Sequence, residues 1–314
     1  MDVAEITPGF GARITGIDLR GPLAPEVEAD LVDAVHRYCV VVFPQTGLDD
    51  AGHVFFSRVF GNLWTTPAPA GGKGAPPPRF AYPHLFDAGN LTAEGAINPD
   101  ETARARRAGD RLWHTDSSFT RDRTTYSLLL AHEVPRAGGE TQFADMRGAY
   151  EALPQETKSR IDQMQVLHNW WHSRQKAGFP ISDAEVAARQ PQAVHPLVHV
   201  HGLSQRKSLY IAAHAHSVVG MDLAQGQALL AGLIAHSTQD RFTFAHHWQP
   251  GDLVIWDNFS TMHRGGDYDD VHERRDMRRT TVLAWPPPPI VLDPRFADRF
   301  DPAQFRTMLH GSTA

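Results

Sequence analysis

Cysteine is almost absent from this sequence, which contains only Cys39 among 314 residues. A single cysteine excludes an intramolecular disulfide and any metal site built from several cysteines. The run Val40-Val41-Val42 that follows it indicates a buried thiol rather than a reactive one. Hydrophobic residues make up 41% of the chain, so we expect a packed core to stabilise it.

Long apolar runs and an excess of positive charge are also missing. No stretch of 18 or more consecutive apolar residues occurs, and the N-terminus lacks a cationic region followed by an apolar segment. The formal net charge is −6, and no basic stripe dominates the chain. These features favour neither a membrane nor a nucleic acid as a partner. We expect a cytoplasmic protein that acts on a small molecule, and composition leaves open whether it forms a homo-oligomer.

The length is compatible with one domain spanning residues 1–314, because all-β and barrel folds of this size often have a single core. Residues 64–110 differ from the rest, since they combine Pro/Gly-rich stretches with a charged run around Arg104 and show no periodic pattern. Such a segment inside an enzyme is either a lid over the active site or a disordered insertion. We expect an active-site lid within 64–110, with disorder as the alternative.

The hydrophobic pattern predicts a mainly β protein with flanking helices. Helical spacing occurs at 25–39, 49–60, 146–153, 155–164 and 222–237. Strand-like runs occur at 40–43, 126–131, 209–213, 241–247, 252–256 and 280–285. Strands spread over the C-terminal two-thirds point to a sandwich or barrel with helices packed outside.

The most informative pair of residues is His114 and Asp116, which form the only His-x-Asp or His-x-Glu sequence in the chain. Alternation along a strand would place both side chains on one face. With one remote histidine they would form a 2-His-1-carboxylate facial triad, which leaves positions open on Fe(II). The pair alone is a weak signal, because composition predicts about two such pairs by chance.

Two downstream features strengthen this interpretation. His263 follows the strand-like run 252–258, and a cluster of arginines begins at Arg274. A metal beside guanidinium groups suits a dicarboxylate co-substrate, because arginine binds a carboxylate through two parallel hydrogen bonds.

Six segments carry a resemblance to a known family. They are Leu112–Phe119, Gly138–Thr141, Phe143–Tyr150, Gly251–Asn258, Met262–Gly265 and Arg274–Thr281. In this order they resemble the taurine and 2,4-dichlorophenoxyacetate dioxygenases, which belong to the 2-oxoglutarate-dependent oxygenases. The likeness runs from about Ile6 to Trp285.

The resemblance implies a fold, a metal and a reaction. The fold would be a double-stranded β-helix, a jelly roll of two facing sheets with helices around it. His114, Asp116 and His263 would bind Fe(II), with 2-oxoglutarate and O2 as co-substrates. The metal chemistry would convert 2-oxoglutarate to succinate and CO2 while a substrate C–H bond is hydroxylated.

The same resemblance implies which residues bind the co-substrate. Thr141 and Arg275 would hold the distal carboxylate of 2-oxoglutarate. Arg279 would lie near the anionic group of the substrate, and we count it among the co-substrate-binding and the substrate-binding residues. The loop before Arg275 is longer than in the taurine enzymes, so Arg274 remains an alternative to Arg275.

The substrate is expected to be a small anion. The segments Asp116–Phe119, Phe143–Arg147 and Pro196–Val198 resemble the phenoxyacetate and phenoxypropionate dioxygenases more than the taurine enzymes. An aryloxyalkanoate would then be cleaved at its ether to a phenol and an oxoacid, with taurine, an alkyl sulfate or another carboxylate as the alternative.

Two expectations concern individual side chains around that substrate. An Arg279 without a partner in a partly dry pocket would require an anion from the substrate. His201 and His214 match positions where the phenoxyacetate enzymes also have histidine, so either could touch the substrate.

Two other classes of function compete with this hypothesis. A dense group of histidines could bind zinc in a hydrolase: His195, His199, His201, His214 and His216. Alternatively, a jelly roll could serve as a catalytically silent binding protein. The complete triad together with the arginines argues against both. Asp145 and Arg147 could also be taken for a catalytic pair, but we interpret Asp145 as the cap of a helix that begins at Met146.

Overall fold

A seven-stranded sheet forms the central layer of the protein in the computed structural model, which describes residues 1–65, 79–179, 191–202 and 204–283. Its strands, numbered in chain order and given in spatial order, are β1 (Asp2–Thr7), β2 (Phe10–Thr15), β3 (Val40–Phe43), β13 (Leu253–Asp257), β5 (Thr124–Glu133), β15 (Asp276–Leu283) and β4 (Phe86–Asp87). All neighbours pair antiparallel except β2 and β3, which are parallel.

Three smaller sheets and the helices complete the described part of the chain. One sheet contains β12 (Thr243–His246), β6 (Thr141–Asp145) and β14 (Thr261–Gly265), the second β11 (Ala215–Val218), β7 (Gln165–Asn169) and β8 (Gln192–Pro196), and the third β9 (Val198–Val200) and β10 (Lys207–Leu209). The helices are α1 (Pro25–Tyr38), α2 (Asp50–Ser57), α3 (Glu101–Arg107), α4 (Met146–Glu151), α5 (Gln155–Ile161), α6 (Trp170–Lys176) and α7 (Leu223–Ser237). The mainly β class predicted from the sequence is confirmed.

The central strands of the large sheet are buried on both faces. Along β3, Val41 and Phe43 face a core shared with α1, whereas Val40 and Val42 face a second core that includes Phe143 of β6. Strands β13 and β5 alternate between the same two cores. Burial on both faces explains their uninterrupted apolar runs. The β12-β6-β14 sheet therefore packs against the large sheet.

Helix α1 matches its predicted position closely. It begins at Pro25, whose fixed φ suits the first helical position, and it buries Leu31 and Val35. Cys39 ends the helix in the left-handed conformation, with φ at 62°, and its side chain is fully buried. Burial raises the pKa of this thiol well above its usual value. The prediction of a buried, unreactive cysteine is therefore in agreement with the structure.

The structure contradicts one of the strands that the sequence predicts. The strand predicted at 209–213 is wrong, because β10 ends at Leu209 and the next strand begins at Ala215. The residues between are buried, but Tyr210 donates its N–H to Leu197 and Ala213 donates to Trp113 rather than to one neighbouring strand. An apolar run thus indicated burial without ladder pairing. Strand β15 follows its prediction to Leu283, and positions 284 and 285 lie outside the described residues.

The lengths of the helices show whether any of them could span a membrane. The longest helix in the described ranges, α7, has 15 residues. Within the described ranges, no helix combines the length and the apolar character that crossing a lipid bilayer requires.

Asp145 and Arg147 form a structural pair at the start of α4. The Asp145 side chain accepts a hydrogen bond of 3.0 Å from the Arg147 backbone N–H, as expected of a helix cap. The Arg147 side chain is buried and donates to the carbonyls of Gly9, His36 and Arg37 at 3.3, 3.1 and 3.1 Å. One guanidinium therefore ties the N-terminal hairpin and α1 to α4.

Replacing Arg147 by Met should lower the free energy of unfolding by about 3 kcal/mol, because three carbonyls lose a charged donor and Asp145 loses the guanidinium whose Nε lies 3.5 Å from its Oδ1. Urea unfolding would measure this loss. Arg37→Met is the matched control, because that side chain is 72% exposed and reaches Glu5 only at 4.0 Å. The control should change stability by less than about 0.5 kcal/mol. Equal losses in the two variants would contradict the structural role of Arg147.

Candidate active site

Two histidines from distant parts of the chain are held side by side by their own backbones. The N–H of His114 donates to the carbonyl of His263 at 2.9 Å, and the N–H of His263 donates back at 2.7 Å. Since His263 is the central residue of β14, this bridge fixes His114 at the edge of the small sheet. The two imidazole centroids lie 4.2 Å apart.

The first histidine also has a defined orientation. His114 Nδ1 lies 2.7 Å from the carbonyl oxygen of Leu112, to which it donates. This hydrogen bond fixes the tautomer and leaves the lone pair of Nε2 available to a metal, as is typical of metal-binding histidines.

Asp116 completes the group from the turn that follows His114. Its Oδ2 accepts a hydrogen bond of 2.7 Å from Ser127 Oγ and lies 3.9 Å from His263 Nε2. Its Oδ1 accepts from Arg279 Nη1. Thr115, between the two predicted ligands, faces the opposite way and donates to the carbonyl of Asn258 at 2.6 Å. The alternation expected from the sequence therefore holds, although His114 forms a single bridge rather than a strand.

The electrostatics of the group favour the protonation states that a metal needs. Burial raises the pKa of Asp116, but Arg279 and the two histidines outweigh it, so the net pKa is well below the usual value. Burial, reinforced by His114, holds the pKa of His263 well below its usual value. An ionised carboxylate beside a neutral imidazole is a suitable ligand set for a divalent metal.

The donor set fits one metal ion and leaves room for other ligands. The ligand atoms of His114, Asp116 and His263 lie within 4.8 Å of one another, and all three residues are buried. Two imidazoles and one carboxylate, with space on one side, are the donors of non-haem Fe(II) sites. In the part of the chain that the structure describes, no second group of His, Cys, Asp or Glu converges in this way. The histidine-rich group therefore gives no geometric support to the zinc-hydrolase alternative.

The three side chains open onto a cavity of about 1000 Å³ that also includes Thr141 and Arg275. Thr141 Oγ1 accepts a hydrogen bond of 3.0 Å from Trp248 Nε1, so its own hydrogen remains available to an anion. Arg275 is only 8% exposed. Its backbone N–H donates to Asn90 Oδ1 at 2.8 Å, and its Nη1 donates to the carbonyl of Gly139. Both residues are thus in place to receive a carboxylate.

Arg274 lies outside the cavity. Its Nε donates to Glu133 Oε1 at 2.7 Å, and its Nη1 donates to the carbonyl of Gly95, on an exposed surface. Of the two alternatives left by the sequence, the geometry therefore favours Arg275.

A glycine turn allows Arg275 to approach the backbone of its neighbour. Gly139 has a φ of +69°, and a Cβ there would lie 2.8 Å from Arg275 Nη1. Gly138 has a φ of +73°, and its Cβ would lie 2.1 Å from the carbonyl oxygen of Asp267. Both positions need a left-handed backbone and a close approach, which only glycine provides without strain.

Arg279 lines the cavity but is not the unpaired arginine expected from the sequence. Its Nη1 donates to Asp116, and its guanidinium carbon lies 4.8 Å from the centroid of the Phe86 ring. The premise that Arg279 lacks a partner is therefore wrong. Asp116, a candidate metal ligand in the turn that precedes β5, supplies much of the negative charge that Arg279 needs. Nε of Arg279 remains buried without a hydrogen-bond partner among the described residues.

The two histidines expected near the substrate lie in different places. His214 lines the cavity, with its ring perpendicular to that of His114 at 6.2 Å and 4.9 Å from that of Phe119. His201 does not line it. Its Nδ1 lies 3.0 Å from Ser204 Oγ, and its Nε2 lies 3.8 Å from Asp257 Oδ2. The expectation for His201 is therefore corrected, because the β9–β10 turn directs this ring into a separate polar cluster.

The described part of the segment 64–110 forms one wall of the cavity. Phe86, Arg104 and Arg107 belong to the lining, and Arg104 lies 3.7 Å from Asp270 on the opposite loop. Positions 66–78 of the predicted lid lie outside the described residues.

The lining carries more positive than negative charge. Its arginines are Arg104, Arg107, Arg111, Arg121, Arg123, Arg174, Arg275 and Arg279, against the carboxylates of Glu101, Asp110, Asp116, Asp122 and Asp270. A cationic cavity in a chain of net charge −6 concentrates anions locally. The sequence predicted an anion-binding role only for the arginines after His263; Arg104 and Arg107 belong to the charged run of 64–110, and the others are scattered along the chain.

Dioxygenases are among the known proteins that this chain resembles, in agreement with the geometry of the candidate metal site. The family model "Taurine catabolism dioxygenase TauD, TfdA family" matches residues 2–281. The chain is 37% identical over 284 residues to an alpha-ketoglutarate-dependent 2,4-dichlorophenoxyacetate dioxygenase of Burkholderia sp. (strain RASC), covering 88% of this chain and 92% of that protein. It is 32% identical over 279 residues to the (S)-phenoxypropionate/alpha-ketoglutarate-dioxygenase of Sphingobium herbicidovorans, covering 87% and 92%.

A solved structure is similar along almost its whole length. AAD-2 in complex with Mn(II) and N-oxalylglycine superposes with a TM-score of 0.84 at 34% identity, covering 91% of this chain and 98% of that one. The match of the family model to most of the chain and the identity to its relatives lead to one conclusion. This chain belongs to the taurine catabolism dioxygenase TauD, TfdA family.

Proposed function

We propose that this protein is an Fe(II)- and 2-oxoglutarate-dependent dioxygenase that hydroxylates an aryloxyalkanoate and thereby cleaves its ether bond. The observation that carries the proposal is the convergence of His114, Asp116 and His263 on one cavity that also contains Thr141 and Arg275. Membership of the family and the names of the relatives support the same chemistry.

The protein's own contribution to the chemistry is to hold ligands and charges in position. Bound Fe(II) would supply the oxidising chemistry that converts 2-oxoglutarate and O2 to succinate and CO2 and hydroxylates a substrate C–H bond. His114 and His263 would hold the metal as neutral imidazoles. Asp116 would hold it through Oδ2, because Oδ1 is engaged by Arg279.

Thr141 and Arg275 would anchor the far end of 2-oxoglutarate. The hydroxyl of Thr141 has a hydrogen to donate, since Trp248 already occupies a lone pair of its oxygen. The Arg275 guanidinium is buried, so a carboxylate that reaches it gains a charge-assisted hydrogen bond with little competition from water. AAD-2 is described with Mn(II) and N-oxalylglycine, which stand in for Fe(II) and 2-oxoglutarate.

The substrate would share the cationic cavity with the co-substrate. Its anionic group would meet the remaining N–H groups of Arg279, and His214 and Phe119 would contact its body. Hydroxylation of the carbon next to an ether oxygen gives a hemiacetal, which collapses to a phenol and an oxoacid. For 2,4-dichlorophenoxyacetate, the substrate named for the Burkholderia relative, the products would be a phenol and glyoxylate.

The fold that we propose for this chemistry is the double-stranded β-helix. The packing of the β12-β6-β14 sheet against the large sheet supports it, with the site between them: His263 comes from the small sheet and Arg279 from the large one. The described part of 64–110 would act as the lid, since it already lines the cavity.

Removal of any one metal ligand should abolish turnover. In His114→Ala, Asp116→Ala and His263→Ala, succinate formation coupled to substrate consumption should fall by at least about 100-fold. The loss of one of three ligands lowers the affinity for the metal and disturbs the arrangement of the remaining ligands. The exposed His247 provides the control variant, His247→Ala, which should keep wild-type activity. Near-normal coupled turnover in any of the three would rule out the triad.

The two neighbouring arginines offer a paired test of the co-substrate site. Arg275→Gln should raise the KM for 2-oxoglutarate by about 10-fold or more, because a charge-assisted hydrogen bond is worth roughly 1.5–3 kcal/mol. Arg274→Gln should leave that KM nearly unchanged, since the exposed Arg274 pairs with Glu133 outside the cavity. Initial rates at varied 2-oxoglutarate distinguish the variants. The reverse result would assign the co-substrate to Arg274.

An anionic group on the substrate should be essential. Wild-type enzyme should consume aryloxyacetates and leave the corresponding methyl esters and the aryl ethers without a carboxylate unchanged, because neutral groups leave the cavity arginines without partners. The measurement is succinate formed per substrate consumed, with alkyl sulfates and taurine in the same panel. Esters consumed as fast as the free acids would contradict an anion anchor, and turnover of sulfates alone would change the substrate class.

A further inference from the structure

A chain of buried hydrogen bonds leads from the core to the carboxylate of Asp116. Trp256 Nε1 donates to Asn258 Oδ1 at 3.0 Å, Asn258 Nδ2 donates to Ser127 Oγ at 3.1 Å, and Ser127 Oγ donates to Asp116 Oδ2 at 2.7 Å. Trp256 and Asn258 are each 1% exposed, and Ser127 is fully buried. Ser127 is on β5, and Trp256 is on the neighbouring β13.

The direction of this chain is fixed by its first member. An indole N–H can only donate, so it orients the Asn258 amide with its oxygen towards Trp256. The amide NH2 must then face the two hydroxyls that it contacts, those of Ser127 and of Thr124, the latter at 3.2 Å. Since Ser127 Oγ already accepts from the amide, its own hydrogen is directed at Asp116.

The backbone of Asn258 is held as firmly as its side chain. Its N–H donates to the carbonyl of Thr125 at 2.8 Å, and its carbonyl accepts from Thr115 Oγ1 at 2.6 Å. Thr115 lies between His114 and Asp116 in the sequence. The same asparagine therefore contacts the segment that carries two of the candidate metal ligands.

The two carboxylate oxygens of Asp116 therefore have different hydrogen-bond donors. Arg279 occupies Oδ1, and Ser127 steers Oδ2, the oxygen that lies 3.9 Å from His263 Nε2. Because each oxygen accepts a hydrogen bond from a different side, rotation of the carboxylate would strain one of these two bonds. Each metal position that it leaves free remains available to the co-substrate or O2.

We propose that Ser127 is a positioning residue for the metal centre: with Asn258 and Trp256 behind it, Ser127 orients Asp116 so that Oδ2 alone faces the metal. This inference rests on the proposed metal centre and adds to it residues that no ligand touches, since Ser127 and Asn258 do not line the cavity. Hydrogen-bond partners of metal ligands commonly matter 10–100-fold for metal affinity or activity.

Titration of the metal-free protein with Mn(II), followed by the electron paramagnetic resonance signal of free Mn(II), tests the proposal without turnover. Ser127→Ala should bind Mn(II) about 10-fold or more weakly. Ser127→Thr retains the hydroxyl and should recover most of the affinity. Ser237→Ala is the matched control, because Ser237 is also a fully buried serine but donates to a helix carbonyl, that of Leu233 at 2.8 Å. Its Mn(II) affinity should equal that of the wild type.

Unfolding with and without Mn(II) separates positioning from mere structural support. At one Mn(II) concentration well above both dissociation constants, a 10-fold loss of affinity removes about 1.4 kcal/mol of the metal-dependent stabilisation. Ser237→Ala should lose stability equally with and without the metal. The charge-transfer absorption of the anaerobic Fe(II)–2-oxoglutarate complex should also shift in Ser127→Ala and not in Ser237→Ala.

The outcomes distinguish this proposal from the one on which it rests. Wild-type Mn(II) affinity and an unshifted absorption in Ser127→Ala would overturn the positioning role and leave the metal centre intact. Mn(II) binding that His114→Ala does not weaken would overturn the metal centre itself. If Ser127→Ala does not fold, Ser127→Cys, which keeps the size but donates more weakly, takes its place, and wild-type affinity in that variant would equally overturn the role of Ser127.

Discussion

The reciprocal backbone bridge between His114 and His263 is the constraint on which the rest of the site depends. It joins a residue before the large sheet's β5 to the centre of a strand in the small sheet, and it brings the two imidazoles to 4.2 Å. Two hydrogen bonds between main-chain atoms fix the separation of the two backbones, and the side-chain rotamers then set the distance between the rings. Asp116, two residues after His114 in the sequence, completes the group.

Three arginines near the site have different partners. Arg279 neutralises the carboxylate of Asp116, Arg274 pairs with Glu133 at the surface, and Arg275 is held by a backbone carbonyl in the interior. Of these three arginines, Arg275 alone forms no salt bridge with a carboxylate among the described residues. An unpaired guanidinium is costly to bury, so an anion beside Arg275 would be stabilising. Burial lowers its pKa somewhat, in keeping with this cost.

Local sequence patterns predicted individual helices and strands, but not how they pack together. Helix α1 and strand β3 were expected at nearly their observed bounds, because spacing of apolar residues and a proline at the first turn are local signals. The run after Leu209 was misjudged as a strand, since burial alone does not distinguish a ladder from an irregular segment whose N–H groups bond to scattered carbonyls. The exposed strand β1 has no apolar run and was not expected at all.

For the site, the sequence by itself determined the chemical identity of the groups: a histidine and an aspartate two positions apart, a later histidine, and arginines soon after it. Only the tertiary structure decided which of these groups meet. It paired Arg279 with Asp116, turned His201 away from the cavity, separated Arg274 from Arg275, and set Ser127 and Asn258 behind the candidate metal ligands. The physical reason is that residue spacing reports on one strand at a time, with a period of two. Contacts between charges depend instead on which strands become neighbours and in which register they pair.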